Sequence, residues 1–204
     1  QNASANFGSN FSQTASYGAD AAANLSTSYA LGITSATSGL TDVATGQSIV
    51  LVNHSGVIEG HVGSAAGEVA FTISSTNAGD VSLDQIRALS HPDATNPDDG
   101  VNLGTLVTLT RTDVITDRDG DQSQASATLN IGSSLVFKDD GPAVSLSTVG
   151  TAPVLTVDET NLSQNASANF GSNFSQTASY GADAAGNLST SYALGITSAT
   201  SGLT

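Results

Sequence analysis

The chain has no cysteine, methionine or tryptophan among its 204 residues. Without cysteine it can form neither a disulfide nor a thiolate metal site. Aromatic residues are also scarce, at 5% of the chain. Any cross-link that stabilises the fold must therefore use oxygen ligands, which hard cations prefer.

Positive charge is scarce too: 4 Lys and Arg residues stand against 18 Asp and Glu residues, which gives a net charge of −14. This charge excludes electrostatic docking to nucleic acid or to an anionic membrane. Charged residues make up 11% of the chain and apolar ones 38%, so the composition favours a folded protein over a disordered polyelectrolyte. Clustered carboxylates repel one another unless a cation neutralises them, and the hard, oxygen-seeking cation outside cells is Ca²⁺.

Long apolar runs are absent as well. No stretch approaches the roughly 20 apolar residues that cross a bilayer, and no basic segment followed by an apolar one opens the chain. We therefore expect a soluble protein without membrane insertion. Because Gln1 lies inside a repeated segment, we expect the natural N-terminus to lie elsewhere.

The strongest pattern in the sequence is a long internal repeat. Residues 1–41 recur as residues 164–204 with one change, Ala23 to Gly186, so the period is 163 residues. Near-identity over such a stretch indicates duplication of a whole module within a longer array. The period exceeds the roughly 20–50 residues of solenoid repeats and matches a complete domain. The sequence therefore predicts tandem domains, each in contact with neighbouring repeats of the same chain.

The clearest break between modules is KDDGP at 138–142, where an apolar segment meets a turn. We place the module boundary there, so that residues 1–141 form most of one module and residues 142–204 begin the next. The first module then lacks the counterpart of residues 143–162. Either the fold does not need those strands, or a neighbouring chain supplies them.

Short β-rich runs recur between clusters of Gly, Asn, Asp and Ser, which predicts an all-β fold of antiparallel β-sandwich modules in tandem. The expected strands are 28–33, 48–53, 57–62, 68–74, 103–113, 123–131, 134–137, 143–146 and 154–158. We expect at most one short helix, at 82–89, with Ser82 as its cap and Ile86 and Leu89 on one face. The Phe and Tyr residues of both copies are expected in the core.

The densest acidic cluster lies between two of these strands, where Asp117, Asp119 and Asp121 alternate around Gly120. This spacing directs several carboxylate oxygens into one tight loop, as six-to-eight-coordinate Ca²⁺ requires. The alternative is an ordinary hairpin turn, for which Asp-Gly is a preferred pair, and both can hold together. The loop is not an EF-hand, because Thr128 stands where that motif has its Glu.

A second acidic pair, Asp139 and Asp140, lies at the proposed junction between modules. Its carboxylates could bind Ca²⁺ together with loops of the next module and stiffen the array, or the segment could be a solvated linker. Asp158 and Glu159 follow a predicted strand and could complete such an interface.

Five segments of the chain carry a family resemblance: SYGADAAANLSTSYAL (16–31), SGLTD (38–42), TDRDGD (116–121), SSLVFKDDGP (133–142) and TVDETNLS (156–163). In this order they resemble the tandem repeats of bacterial RTX-type giant adhesins secreted by type I systems. The resemblance covers the 163-residue period and implies Ig-like or cadherin-like sandwiches, rigidified by Ca²⁺, that extend a ligand-binding tip from the bacterial cell surface in adhesion and biofilm formation. It also implies that Asp117, Asp119, Asp121, Asp139 and Asp140 are the acidic ligand positions.

Catalytic patterns are missing from the sequence. His54, His61 and His91 stand in separate contexts without metal-ligand spacing, and we expect each at the surface or in a turn; there is no nucleophile elbow and no phosphate-binding loop. We therefore expect a structural extender and not an enzyme. Two other functions remain open: a glycan-binding sandwich, and a filament subunit that exchanges strands with other copies in a fibre or biofilm matrix.

Overall fold

The computed structural model describes residues 1–19, 21–183 and 186–202. Neighbouring strands in the described residues all pair antiparallel, which confirms the all-β prediction. The strands are β1 (Asn2–Asn6), β2 (Ala22–Ile33), β3 (Thr37–Thr41), β4 (Ser48–His54), β5 (Val57–Val62), β6 (Val69–Ser75), β7 (Asp80–Gln85), β8 (Gly100–Asn102), β9 (Val107–Asp117), β10 (Gln122–Asn130), β11 (Val136–Lys138), β12 (Ala143–Thr148) and β13 (Phe174–Ser179). Within the same ranges, helical structure is limited to 3-10 turns at Gly8–Asn10, Gly132–Ser134, Glu159–Asn161, Gly171–Asn173 and Gly181–Asp183.

The chain forms two compact units, Gln1–Gly141 and Pro142–Thr204. We call them unit 1 and unit 2. Unit 1 contains β1 to β11, and unit 2 contains β12 and β13. That these units correspond to successive modules of a longer array stays a prediction.

Unit 1 is a sandwich-like arrangement of sheets. One sheet has the strand order β1-β7-β6-β5-β4-β3, a second has the order β10-β9-β2, and β11 pairs with β8. A single cluster of buried side chains joins the six-stranded and three-stranded sheets, including Leu51, Ile73, Leu31 and Leu109. Alternation of buried and partly exposed residues along β4 and β7 places one face of the large sheet on this core.

Packing at the centre of the core requires glycine at position 60 in β5. A Cβ atom at this position would lie 2.4 Å from Cε1 of Phe71. The Phe71 ring packs there against Phe137, with 4.8 Å between the ring centroids. Only glycine lets the aromatic pair approach the backbone so closely.

The predicted helix at 82–89 is wrong, because Asp80–Gln85 is strand β7. Val81 and Leu83 are buried and the residues beside them are partly exposed, so the apolar period here is two and not 3.6. Strand β7 pairs with β6 on one side and β1 on the other. Ile86 is exposed whereas Leu89 is buried, so these residues do not share a helical face.

The predicted strand at 154–158 is also not formed. In the described part of unit 2, β12 pairs only with β13, and Val154 and Val157 are largely exposed. An extended segment without a partner strand gains too little to become ordered sheet.

Three of the four Phe and Tyr residues of the first copy pack against the core of unit 1, as expected, whereas Tyr17 does not. Phe7, Phe11 and Tyr29 are partly buried against it, and Phe11 meets Tyr29 edge to face with ring centroids 5.8 Å apart. In unit 2 the expectation is wrong for the counterparts: Phe174 and Tyr192 are exposed.

Candidate metal site

The β9–β10 hairpin positions the three aspartates that the sequence singles out. Strands β9 and β10 pair in register up to Thr116 and Gln122, so the loop between them is short. The Asp117 amide donates to the Asp121 carbonyl at 3.1 Å, and the Gly120 amide donates to the Asp117 carbonyl at 3.3 Å. Gly120 has a φ of 102°, which a residue with a side chain rarely adopts. The expected hairpin turn is therefore present.

The Asp117 side chain organises this loop. Its Oδ1 atom accepts hydrogen bonds from the amides of Gly120 at 3.2 Å and Asp121 at 2.9 Å. One carboxylate oxygen each from Asp117, Asp119 and Asp121 lies within 4.8 Å of the others. The loop thus gathers the three carboxylates into a group that could hold a metal ion.

Electrostatic strain within the group is visible in two pKa values. A hydrogen bond with Asp119 lowers the pKa of Asp117, and the backbone amides of the loop add to that effect. The same hydrogen bond and the negative charge of Asp117 raise the pKa of Asp119. The charge of each carboxylate thus opposes ionisation of the other, and a bound cation would relieve the same repulsion.

Oxygen-only donors favour hard cations over zinc or copper. Asp119 and Asp121 are exposed and Asp117 is partly exposed, so solvent reaches the group. Three carboxylates are fewer than the six to eight oxygens of a calcium shell, so water or other groups would complete it. Exposed acidic groups are also common without an ion.

The second predicted pair does not join the first. The Asp139 amide donates to the Asp99 carbonyl at 2.8 Å, and the Asp140 amide donates to Oδ1 of Asp139 at 2.9 Å. In the described ranges, Asp139 and Asp140 belong to no group of three metal-ligating side chains. Their role in a junction between modules stays a prediction. Asp158 caps the turn Glu159–Asn161 by accepting from the Thr160 amide at 2.7 Å.

The structure contains a buried ion pair, Asp42–Arg87, that the sequence did not predict. Asp42 is fully buried, and its two oxygens accept hydrogen bonds from Arg87 Nε at 2.8 Å and Nη2 at 3.0 Å. The Thr45 amide and hydroxyl also donate to Oδ2 of Asp42, at 3.0 and 2.7 Å. These bonds, those from Arg87 above all, lower the pKa of Asp42 to about 2 against the opposing effect of burial. The pair fastens the turn after β3 to the segment after β7.

The only sequence signal for this pair is the segment SGLTD at 38–42. Ser38 is buried and donates to the Ile49 carbonyl at 2.6 Å, and Leu40 is buried in the core. The segment therefore holds β3 against β4, and Asp42 is the last residue of the segment. Its partner Arg87 stands 45 positions away, and no local pattern links the two.

One expectation about histidines is wrong. His61 is buried on β5, where its ring nitrogens lie 2.9 Å from Oε2 of Glu59 and 2.8 Å from the Gly67 carbonyl. His61 lies on the same face of β5 as Glu59, and its contact with Gly67 places it under the loop that follows this strand. His54 is exposed at the end of β4, as expected.

In the described parts of the chain, no helix is both long and apolar enough to cross a membrane. No curated protein and no solved structure matches the chain. The family described as "Domain of unknown function (DUF5801)" matches residues 1–132 in unit 1 and residues 154–204 in unit 2. These two segments include most of the chain, which therefore belongs to the DUF5801 family.

Proposed function

We propose that this chain is part of a tandem array of structural modules that holds a distal binding element away from a bacterial cell surface. The observation that carries the proposal is the recurrence of residues 1–41 at 164–204 with one substitution. The function of such an array depends on its length and stiffness, and each repeat adds the same length. The motif resemblance to RTX-type adhesins supports the extracellular location and the role in adhesion.

The strand arrangement of unit 1 suits a load-bearing role. Its longest strands, β2 and β9, pair along ten or more residues, and β10 adds a third long strand. The core unites this sheet with the six-stranded sheet. Extension of the unit would have to break many backbone hydrogen bonds together.

We further propose that Ca²⁺ binds at Asp117, Asp119 and Asp121 and limits fraying of the long hairpin. The raised pKa of Asp119 supports this proposal, because it reports carboxylate crowding at the tip. A cation held by the β9 end and the loop would fix both ends of the turn. Without cysteine, the chain has no covalent alternative for this task.

The array proposal is tested by solution X-ray scattering of proteins with one, two and four copies of the 163-residue period. For an extended tether, the largest dimension grows in proportion to the number of copies in Ca²⁺ and grows less in EGTA. A dimension that grows only as the cube root of mass would mean a compact assembly and contradict the tether.

The site proposal is tested by calorimetric Ca²⁺ titration of the wild type and the variant Asp119→Asn. We expect the variant to lose most of the binding heat. Asp84→Asn is the matched control, since Asp84 is a partly exposed acidic residue on β7 outside the group. Equal loss in both variants would show that the measured binding is diffuse attraction to a chain of net charge −14.

A further inference from the structure

Three side chains of the β4–β5 hairpin meet at one carboxylate, away from the acidic loop. Oε2 of Glu59 lies 2.9 Å from Nε2 of His61 and 3.8 Å from Nδ1 of His54. In the described ranges, the ion-pair partners of Glu59 are these two histidines, and no Lys or Arg pairs with it. The structure thus brings together two histidines that stand in separate contexts in the sequence.

The turn of the hairpin determines which of its residues can meet. It has two residues, Ser55 and Gly56, with φ values of 53° and 88°. Two central residues with positive φ are typical of a type I′ turn, which fixes the register of the strands. In this register His54 lies opposite the first residue of β5. Opposite residues share a face, as do alternate residues of one strand, so His54, Glu59 and His61 project from the same face.

The ring of His61 is oriented by its second nitrogen. Nδ1 lies 2.8 Å from the carbonyl oxygen of Gly67, which can only accept, so Nδ1 carries a hydrogen. In the neutral ring, Nε2 then has a lone pair that faces the Glu59 carboxylate at 2.9 Å. Two acceptors so close need a proton or a metal ion between them. A backbone carbonyl that accepts from the other ring nitrogen is the usual partner of a metal-ligating histidine.

The distances suit a transition-metal ion. Zn²⁺ binds histidine nitrogen at about 2.0–2.1 Å and carboxylate oxygen at about 2.0–2.2 Å. An ion at these distances from two atoms 2.9 Å apart, Nε2 of His61 and Oε2 of Glu59, would hold them about 90° apart. Nδ1 of His54 is more than 4.8 Å from Nε2 of His61, so the His54 ring must rotate to join them. Its side chain is 72% exposed, which leaves it room to do so.

We propose that His54, Glu59 and His61 bind one divalent transition-metal ion, such as Zn²⁺, with water completing the shell. Imidazole nitrogen favours such ions, whereas Ca²⁺ takes oxygen ligands. The bound ion would tie the end of β4 to the middle of β5. The exposed His54 side chain leaves the ion a path from solvent. This site depends neither on Ca²⁺ at the acidic loop nor on the tether role.

The site is tested by calorimetric titration of Zn²⁺ into the chain, with millimolar Ca²⁺ present to compete for sites made of oxygen alone. We expect the wild type to bind Zn²⁺ and His54→Ala to lose most of that binding. His91→Ala is the matched control, because it removes the third histidine of the chain and leaves the group intact. It should bind like the wild type.

Two outcomes of this titration would overturn the proposal. If the wild type binds no Zn²⁺, or if His54→Ala binds it as tightly as His91→Ala does, the contact between His61 and Glu59 holds a proton only. If Asp119→Asn loses the binding and His54→Ala keeps it, the ion lies at the acidic loop. Because His54 is exposed, its replacement leaves the core untouched.

A second measurement needs no variant. Proton–nitrogen correlation spectra of the imidazole rings follow each histidine as Zn²⁺ is added. We expect the Nε2 resonance of His61 to shift and its Nδ1 to stay protonated, since that hydrogen bond to Gly67 persists when the metal binds. The resonances of His91 should not move. A His61 ring whose resonances do not respond to Zn²⁺ would refute the site.

Discussion

Residues 1–41 and 164–204 are nearly one sequence, yet they fold differently in the two units. In unit 1 the copy forms β1, β2 and β3, which pair with β7, β9 and β4. In the described part of unit 2, the only strand that the copy forms is β13. The 3-10 turn after Phe7 recurs after Phe170, because its hydrogen bonds are local. Strands in this sequence thus depend on available partners more than on intrinsic propensity.

A side-chain contact survives the change of context. Phe11 and Tyr29 have centroids 5.8 Å apart, and their duplicates Phe174 and Tyr192 have centroids 5.7 Å apart. In unit 2 this pair borders an open cavity of about 760 Å³.

The largest expected effect concerns the buried ion pair between Asp42, the residue that follows the first copy, and Arg87. Asp42→Ala leaves Arg87 without its buried partner and should lower the free energy of unfolding of unit 1 by about 4 kcal/mol. The control is Glu68→Ala, which removes the exposed carboxylate from the same arginine and should cost less than about 1 kcal/mol. Urea unfolding measures both. Similar losses for the two variants would show that burial of Asp42 does not matter.

The next effect compares the two copies directly. Leu31 is 5% exposed in unit 1 and its duplicate Leu194 is fully exposed in unit 2. Leu31→Ala should destabilise unit 1 by about 3 kcal/mol. Leu194→Ala should leave the urea midpoint of the chain unchanged, because this side chain has no packing to lose. If Leu194→Ala is as damaging, the second copy packs in solution as the first does.

A smaller effect appears on acidification. The pKa of Asp42 is about 2 in the folded chain, below its ordinary 3.8. A carboxylate with a lowered pKa stabilises the fold above its unfolded pKa, and this stabilisation is lost as pH falls from about 4 to about 2. It amounts to about 2 kcal/mol. The wild type should lose this stability in that window in urea titrations, and Asp42→Asn should not. A parallel fall in both would assign the acid sensitivity to other carboxylates.

The smallest effect lies at the loop tip. The pKa of Asp119 is raised beside Asp117, so their repulsion opposes folding above that pKa and disappears below it. In EGTA at neutral pH, Asp119→Asn should therefore be slightly more stable than the wild type in thermal unfolding. The difference should vanish in acid. A variant less stable at neutral pH would mean that the loop needs this carboxylate even without a cation.

The sequence predicted the parts of the fold that local patterns encode. Ser48–His54 and Val57–Val62 are short runs rich in β-branched residues, and both strands were expected within one residue of their observed ends. Strand β1 reads NASAN and β3 reads TSGLT, and Leu40 is the only large apolar residue in the two strands. These strands form because an edge of the large sheet is available to each, which sequence periodicity does not reveal.

The acidic loop and the buried ion pair show the same limit. Asp117, Asp119 and Asp121 lie within five residues, so their meeting could be inferred from spacing. Asp42 and Arg87 meet only because the end of β3 lies beside the segment after β7. An isolated antiparallel β-bridge between Asp42 and Leu89 joins the two segments. The helix expected at 82–89 failed for a related reason, since the period of a short apolar run is decided by its neighbours.

Thermal unfolding of the wild-type chain in Ca²⁺ and in EGTA tests the cation-stabilised module most directly. We expect the melting temperature of unit 1 to rise by about 3–5 °C in millimolar Ca²⁺. This is the rise expected when the Ca²⁺ concentration is roughly tenfold above the dissociation constant of the site. Asp119→Asn should show no such rise. A wild-type melting temperature that is the same in Ca²⁺ and in EGTA would contradict the role of the aspartate loop.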